Sequence, residues 1–332
     1  MPNLPSDAPV LPLVGPPSSA EHFVTLFDKN FLPMGMALHS SLLLHAQPFH
    51  LWVLCMDESV EAQLLQLALP HVSLIPLKDV ETREMLAVKS GRTAAEYCWT
   101  MTPFTPQFVF ERDATVQRVT YLDADLYFFD SPHILLEEFS RSNKHVMITD
   151  HNYAPEYDQS RTSGRFCVQF MTFRRTLEGQ RVMKWWQDRC IEWCFARYEK
   201  GKRGDQMYLD CWPTQFAEEV HILMDQDRTL APWNVAYVLD VKRSTARPVF
   251  FHFHGFRIVS VNRMLFYRRY LIGASGQWLY SEYADAIEKA LSIVHQRWQS
   301  IPVLSEKSTL LDRLLRFAFS HLNRIQYRDF SL

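Results

Sequence analysis

Apolar and polar positions follow two rhythms along the first half of the chain. Short, continuous apolar runs at His22–Phe27, Phe49–Met56, Val72–Leu77, Arg118–Leu122 and His145–Thr149 predict strands. Between them, Phe31–His45, Glu58–Ala68 and a stretch from Thr93 through Trp99 carry helical patterns. Strands that are apolar throughout and alternate with helices belong to a mostly parallel sheet covered on both faces. Further on, Thr176–Tyr198 reads as a long helix with Trp185, Trp186 and Trp193 on or near one side, a pattern of core packing rather than of a stacking platform. Val249–His254 is a compact strand, and from Ser281 the pattern is helical, ending in the amphipathic basic stretch Leu310–Phe330. The simplest architecture is one α/β domain over residues 21–275, a helical C-terminal appendage over 276–332, and a disordered proline-rich leader over 1–20.

Composition narrows the chemistry. The 332 residues carry 35 Lys and Arg against 37 Asp and Glu, so no excess of positive charge points to nucleic acid. The longest apolar stretch, Phe31–Ala46, is interrupted by Pro33, His39, Ser40, Ser41 and His45, too short and polar to span a bilayer. The leader lacks the cationic and apolar regions of a secretory signal, and the six cysteines form no CxxC, which together predict a cytoplasmic protein with reduced thiols. Only 10 glycines are present, none arranged as GxG or before Lys-Ser or Lys-Thr, so neither common glycine loop for phosphates exists. A bound nucleotide would need its phosphates held by something other than bare backbone.

Two segments supply an alternative. In RVTYLDADLYFFDSP, residues 118–132, Asp123 and Asp125 stand two apart at the end of a strand, where extended backbone turns both carboxylates to one side. The carboxyl ends of parallel strands are where α/β folds place ligands, and two carboxylates there can bridge a divalent ion to a diphosphate. Two exposed turn aspartates are the competing reading. In VFFHFHG, residues 249–255, His252 and His254 share one face while Phe251 and Phe253 share the other and pack. One imidazole added to two carboxylates suits manganese somewhat better than magnesium.

YLDAD, then GDQ at Gly204-Asp205-Gln206, then HFHG at His252–Gly255 resemble the motifs of A-type nucleotide-sugar glycosyltransferases. More narrowly they resemble the retaining group of glycogenin and the bacterial lipopolysaccharide galactosyl- and glucosyltransferases, over about residues 20–260. The resemblance implies a single Rossmann-like nucleotide-diphospho-sugar transferase domain. It also implies that Asp123, Asp125 and His252 hold Mn2+ or Mg2+, with Asp123 also near the donor ribose. Asp205 would hold hydroxyls of sugar or acceptor, Gln206 would lie near the anomeric centre, and Thr25 would meet the base or ribose. Arg92 lies one turn from the position of the usual donor lysine, which is Ala95 here, and Glu96 joins it on the donor side. Trp233, Asn234 and His254 fall to the acceptor side. Phe166-Cys167-Val168 departs from the family's Asn-containing strand, and Arg257 or Arg263 would replace the lysine that usually follows HFxG.

Several of these residues have structural readings as well. Thr93-Ala94-Ala95-Glu96 fits a capping box, Asp205 fits an N-cap, Trp233-Asn234 fits a packed turn, and Asp130-Ser131-Pro132 reads as a helix start. The function expected is metal-assisted transfer of a sugar from a nucleoside diphosphate sugar, UDP-linked by resemblance, to a hydroxyl of a bacterial glycan or glycolipid with retention. The alternatives are a non-catalytic nucleotide-sugar-binding protein and a sugar nucleotidyltransferase, though residues 26–36 lack the latter's glycine-rich basic loop. The basic C-terminal helix, with Arg313, Arg316, Arg324 and Arg328, either packs on its own domain or contacts the inner face of a membrane peripherally.

Overall fold

The apolar runs of the first half become neighbouring strands of one sheet. The computed structural model describes residues 20–304 and 325–331. The strands β1 (Glu21–Phe27), β2 (Phe49–Cys55), β3 (Val72–Pro76) and β4 (Arg118–Leu122) pair in parallel. β5 (Leu126–Phe128) leaves this sheet, while β6 (Val146–Asp150), β7 (Phe166–Arg174) and β8 (Val220–Ile222) complete the order β3-β2-β1-β4-β7-β6-β8. β7 runs antiparallel to both β4 and β6, and its first eight residues are buried. The strands expected from the pattern omit this run, although it is as apolar as the others; only the family resemblance puts a strand at Phe166-Cys167-Val168, and no apolar run discloses direction.

Helices cover both faces. α1 (Leu32–His45), α2 (Glu58–Leu67) and α6 (His133–Arg141) share one core with Phe23, Leu51, Val53 and Phe170. α3 (Arg83–Lys89), α4 (Ala94–Met101), α5 (Thr105–Arg112), α8 (Leu177–Glu192) and the single turn α9 (Trp212–Gln215) share the other with Val24, Leu54, Val119 and Phe173. α7 (Ser160–Ser163) is one turn that leads into β7. α8 is shorter than the pattern predicts: Trp193 is in extended backbone, off the helix, while Trp186 is fully buried edge-on to Trp212.

Two small sheets flank the large one. β9 (Thr229–Leu230) and β10 (Phe250–His252) form β5-β10-β9, and β11 (Arg257–Ser260), β12 (Arg263–Arg268) and β13 (Ile325–Asp329) form the other. The expected C-terminal helix is α10 (Gln277–Trp298), which buries Tyr280, Tyr283, Ile287 and Leu291. The chain end departs from the helical expectation, since Ile325–Asp329 is an edge strand on β12. Arg328 therefore sits on a strand and spends its charge on Asp285 and Glu288 of α10. Residues 1–19 and 305–324, with Arg313, Arg316 and Arg324 of the basic stretch, lie outside the described residues. Among the described residues, no helix is long and apolar enough to cross a membrane.

At the opposite end of the strands from the acidic turn, buried histidines link β1 to β2, β2 to β3, and α1 to the turn before β3. Trp52 Nε1 donates to His22 Nδ1 at 3.1 Å, His50 meets Ser73 at 2.9 Å, and His39 meets the Pro70 carbonyl at 2.8 Å. Burial lowers all three imidazoles from their ordinary range, His50 to about 4. A base held neutral in the fold takes up protons only on unfolding, so its contribution is complete above about pH 6.5 and is lost toward pH 4. His50→Gln removes one such group. The fall in urea midpoint between pH 7 and pH 5 should shrink in this variant by the equivalent of up to about 2 kcal/mol. An identical fall in both proteins would show that His50 is not held neutral.

Candidate metal centre

The acidic turn begins where β4 ends. Asp123 follows Leu122, the Leu126 amide closes a turn onto the Asp123 carbonyl at 3.1 Å, and β5 departs. The carboxylates thus meet in a tight turn, which corrects the extended-backbone expectation. The third group arrives by register: β10 runs antiparallel to β5 with His252 opposite Leu126, and the Phe253 amide donates to the Asp125 carbonyl at 2.9 Å. Phe251 and Phe253 turn the other way and are fully buried against α10, with Phe253 stacked on Tyr283 at 3.7 Å. Gly255 then turns the chain at φ +83°, in open space, so its backbone conformation is the reason for glycine.

Asp123, Asp125 and His252 each aim a ligand atom into one volume, all within 4.8 Å of one another. His252 Nε2 lies 3.2 Å from Asp125 Oδ1 and 3.7 Å from Asp123 Oδ2. Burial and the Asp125 charge push the Asp123 carboxyl up to about 6, against the pull of His252. Burial also opposes ionisation of Asp125, but His252, its hydrogen bond and the charges of His254 and Arg257 outweigh it and hold that carboxyl at about 2. Burial likewise opposes a charge on His252, and Asp125 overrides it and holds the imidazole well above its ordinary range. Two carboxylates and an imidazolium leave the cluster one negative charge in excess. A divalent ion with a neutral imidazole removes that excess, and this mixed oxygen and nitrogen donor set fits manganese or magnesium.

Behind these ligands stand residues to which the sequence assigned no role. Tyr121 Oη donates to Asp123 Oδ1 at 2.9 Å. Gln169, 1% exposed on β7, meets His252 Nδ1 through Oε1 at 2.7 Å. Its only signal in the sequence is a lone amide inside the apolar run FCVQFMTF.

The other predicted residues divide. Asp205 is buried near the cluster, where burial and the Asp123 charge push its carboxyl up to about 8. It begins the turn Gln206–Cys211 without a side-chain cap bond, so the N-cap reading fails. Gln206 is half-buried and donates to the Ser163 carbonyl at 2.5 Å. Thr25 is fully buried and its hydroxyl has no partner among the described residues. His254 is exposed beside His252, their ring centroids 5.7 Å apart, and Trp233 stands edge-on to both.

Three positions have partners within the fold. Glu96 caps α4 through Thr93 and also accepts from the Ala196 amide at 2.8 Å, so both carboxylate oxygens serve the fold. Arg92 bonds Thr100 and the Ile191 carbonyl, tying α4 to the end of α8. Asn234 uses its whole amide to close the turn, accepting from the Ala231 amide and donating to the His151 and Thr229 carbonyls. Trp233 belongs to the same turn through Nε1 to the His151 carbonyl at 2.7 Å. Of the two arginines after the histidine strand, Arg263 is paired with Asp329 through two bonds, whereas Arg257 lies close enough for its charge to act on Asp125.

No protein-family model matches the chain. It is 31% identical over 254 residues to the uncharacterized protein YfnD of Bacillus subtilis (strain 168), covering 73% of this chain and 80% of YfnD. It is 29% identical over 256 residues to YfnF of the same organism, covering 73% and 84%. Among solved structures it is similar to the bifunctional glycosyltransferase WbbM in its apo form, with a TM-score of 0.50 and 15% identity. That likeness covers 88% of this chain and 53% of WbbM, so the chain spans about half of that protein. Weaker likenesses include mouse xyloside xylosyltransferase 1 (TM-score 0.48, 14% identity, 71% of this chain and 98% of that one). The galactosyltransferase LgtC, bound to donor and acceptor sugar analogs, is another (0.49, 10%, 81% and 95%). The WbbM likeness is one of fold: a Rossmann-like glycosyltransferase domain with a mostly parallel sheet, as the sequence leads one to expect.

Cation binding at this cluster must displace the proton on His252 and any on Asp123, whose carboxyl sits at about 6. Calorimetric titration with Mn2+ should therefore show affinity rising from pH 6 to pH 8, by up to about tenfold per unit for each proton displaced. An affinity independent of pH would remove His252 from the ligand set.

Proposed function

The chain belongs to the family of the Bacillus subtilis protein YfnD, and we propose that it transfers a sugar from a nucleoside diphosphate sugar to a hydroxyl acceptor with the help of a divalent cation. The observation that carries this reading is the convergence of Asp123, Asp125 and His252 within 4.8 Å beside the carboxyl end of β4, in a chain whose 10 glycines build no phosphate loop. A UDP-linked donor, a glycan or glycolipid acceptor and retention of configuration complete the proposal, by resemblance to the retaining A-type enzymes.

In this reading Asp123, Asp125 and His252 hold Mn2+ or Mg2+, which supplies positive charge to the departing diphosphate. Arg257 adds a fixed cation beside Asp125, in the place the family fills with lysine. Thr25, on β1 next to β4, offers its unpartnered hydroxyl to the base or ribose. Asp205 carries a proton at neutral pH, so it presents a hydrogen-bond donor to a sugar or acceptor hydroxyl, and Gln206 follows it toward the anomeric centre. His254 and the Trp233 edge bound the acceptor side, where both rings meet.

A panel of nucleotide sugars, assayed for hydrolysis and transfer with and without Mn2+, tests the proposal. One donor should be turned over in the presence of the cation, and Asp125→Ala should lower that turnover by roughly 10²–10³-fold or more while the melting temperature in metal-free buffer is maintained. Full activity of Asp125→Ala, or of the wild type in chelator, would overturn the assignment. Donor binding without any turnover would instead indicate a nucleotide-sugar-binding protein.

A further inference from the structure

We infer that Gln169 is a positioning residue that fixes the tautomer of His252 and aligns two of the three cluster ligands from the strand between them. β7 pairs with β4 through Leu122 and Phe170, so Gln169 stands one step beyond the last pair, level with the acidic turn. Its backbone carbonyl accepts the Asp123 amide at 3.0 Å, and its side-chain Oε1 accepts from His252 Nδ1 at 2.7 Å. One residue thereby sets the start of the acidic turn and the rotation of the imidazole, which arrive on different strands.

The consequence is chemical. An amide oxygen only accepts hydrogen bonds, so it keeps a proton on Nδ1; a cation that engages the carboxylates then finds Nε2 as the nitrogen that can give a lone pair. Nε2 is the atom facing Asp125 Oδ1 at 3.2 Å and Asp123 Oδ2 at 3.7 Å. Were the amide reversed, its NH2 would donate to Nδ1, and a neutral ring would carry its proton on Nε2, aimed into the cluster where a cation has to sit. Burying an amide at 1% exposure among Phe166, Val168, Phe170 and Met171 is costly unless its polar atoms are used. Its side-chain oxygen is used on His252, the ligand whose orientation decides whether the site works. Partners of this kind fix ring orientation at metal-bound histidines generally, and their loss typically weakens metal affinity by roughly 10- to 100-fold.

The test has two arms, of which only the second rests on the proposed cation site. In the metal-free protein the Nδ1 proton of His252 should appear as a downfield 1H resonance protected from exchange with water, assigned by its loss in His252→Asn. In Gln169→Met that protection should be lost. In the second arm, Mn2+ affinity measured by calorimetry should fall roughly 10- to 100-fold in Gln169→Met and stay within about threefold in Gln169→Glu, which keeps an acceptor at the same reach. A wild-type Nδ1 proton that exchanges freely with water, or unchanged affinity in a folded Gln169→Met, would overturn the inference. A wild type that binds no Mn2+ would defeat the sugar-transfer reading, while the spectroscopic arm, which needs no variant of Gln169 to fold, still decides the role of Gln169.

Discussion

The structure turns on a repulsion. Two carboxylates in one turn, partly withdrawn from water, repel each other, and at about 4 Å such a pair costs on the order of 4 kcal/mol at an effective dielectric of about 20. The fold sets His252 against them and partitions the strain unevenly, so that Asp125 is held ionised while Asp123 is pushed up to about 6. The three side chains alone leave one negative charge in excess, which favours any cation beside them, the Arg257 guanidinium among them.

Keeping that arrangement requires elements remote in sequence. β5 and β10 form the small sheet that sets His252 opposite Leu126, and β10 is held from behind by Phe251 and Phe253 on Tyr280 and Tyr283 of α10. The C-terminal helix thus serves the site without touching a ligand atom, since loosening it would release the strand that aims the imidazole. Aromatic packing suits this task, because large rigid rings fix a strand's position with little loss of side-chain freedom. Phe128, Phe170 and Phe250 form a separate ring cluster in the core shared with α1, α2 and α6, with centroids 5.5 to 6.5 Å apart. Aromatic rings thus pack β10 into two cores.

What could be read from the sequence follows from which signals are local. β1, β2 and β4 are apolar runs buried on both faces, and the chemistry of the acidic turn and the histidine strand is written in side chains a few residues apart. The direction of β7 was hidden, because an apolar run reads the same in a parallel and an antiparallel strand, and the role of Gln169 depends on a pairing that no periodicity shows. Glu96 illustrates the opposite case. Its capping box was legible, but the bond to the Ala196 amide, one hundred residues away, was not, and that second bond ties both carboxylate oxygens to the fold. The chain end misled because an amphipathic pattern is shared by a helix and by a short edge strand. Pairing with β12 and the anchoring of Arg328 on α10 decided the strand.

Asp205 shows how stability and chemistry are traded in this site. A carboxyl buried near a like charge is disfavoured in its ionised form, and its side chain caps no helix that could repay the cost. Its backbone, by contrast, is well used: the Asp205 carbonyl accepts from Trp186 Nε1 at 2.9 Å, and Trp186 is fully buried between the sheet and α9. The position is thus fixed by the main chain while the side chain is left as a neutral acid at the edge of the charged cluster. A purely structural role would be met at lower cost by an asparagine or a serine at this turn. A side chain kept protonated, in a place set by its backbone, is a hydrogen-bond donor at the edge of the cluster, and the proposed transfer would use it on a sugar hydroxyl.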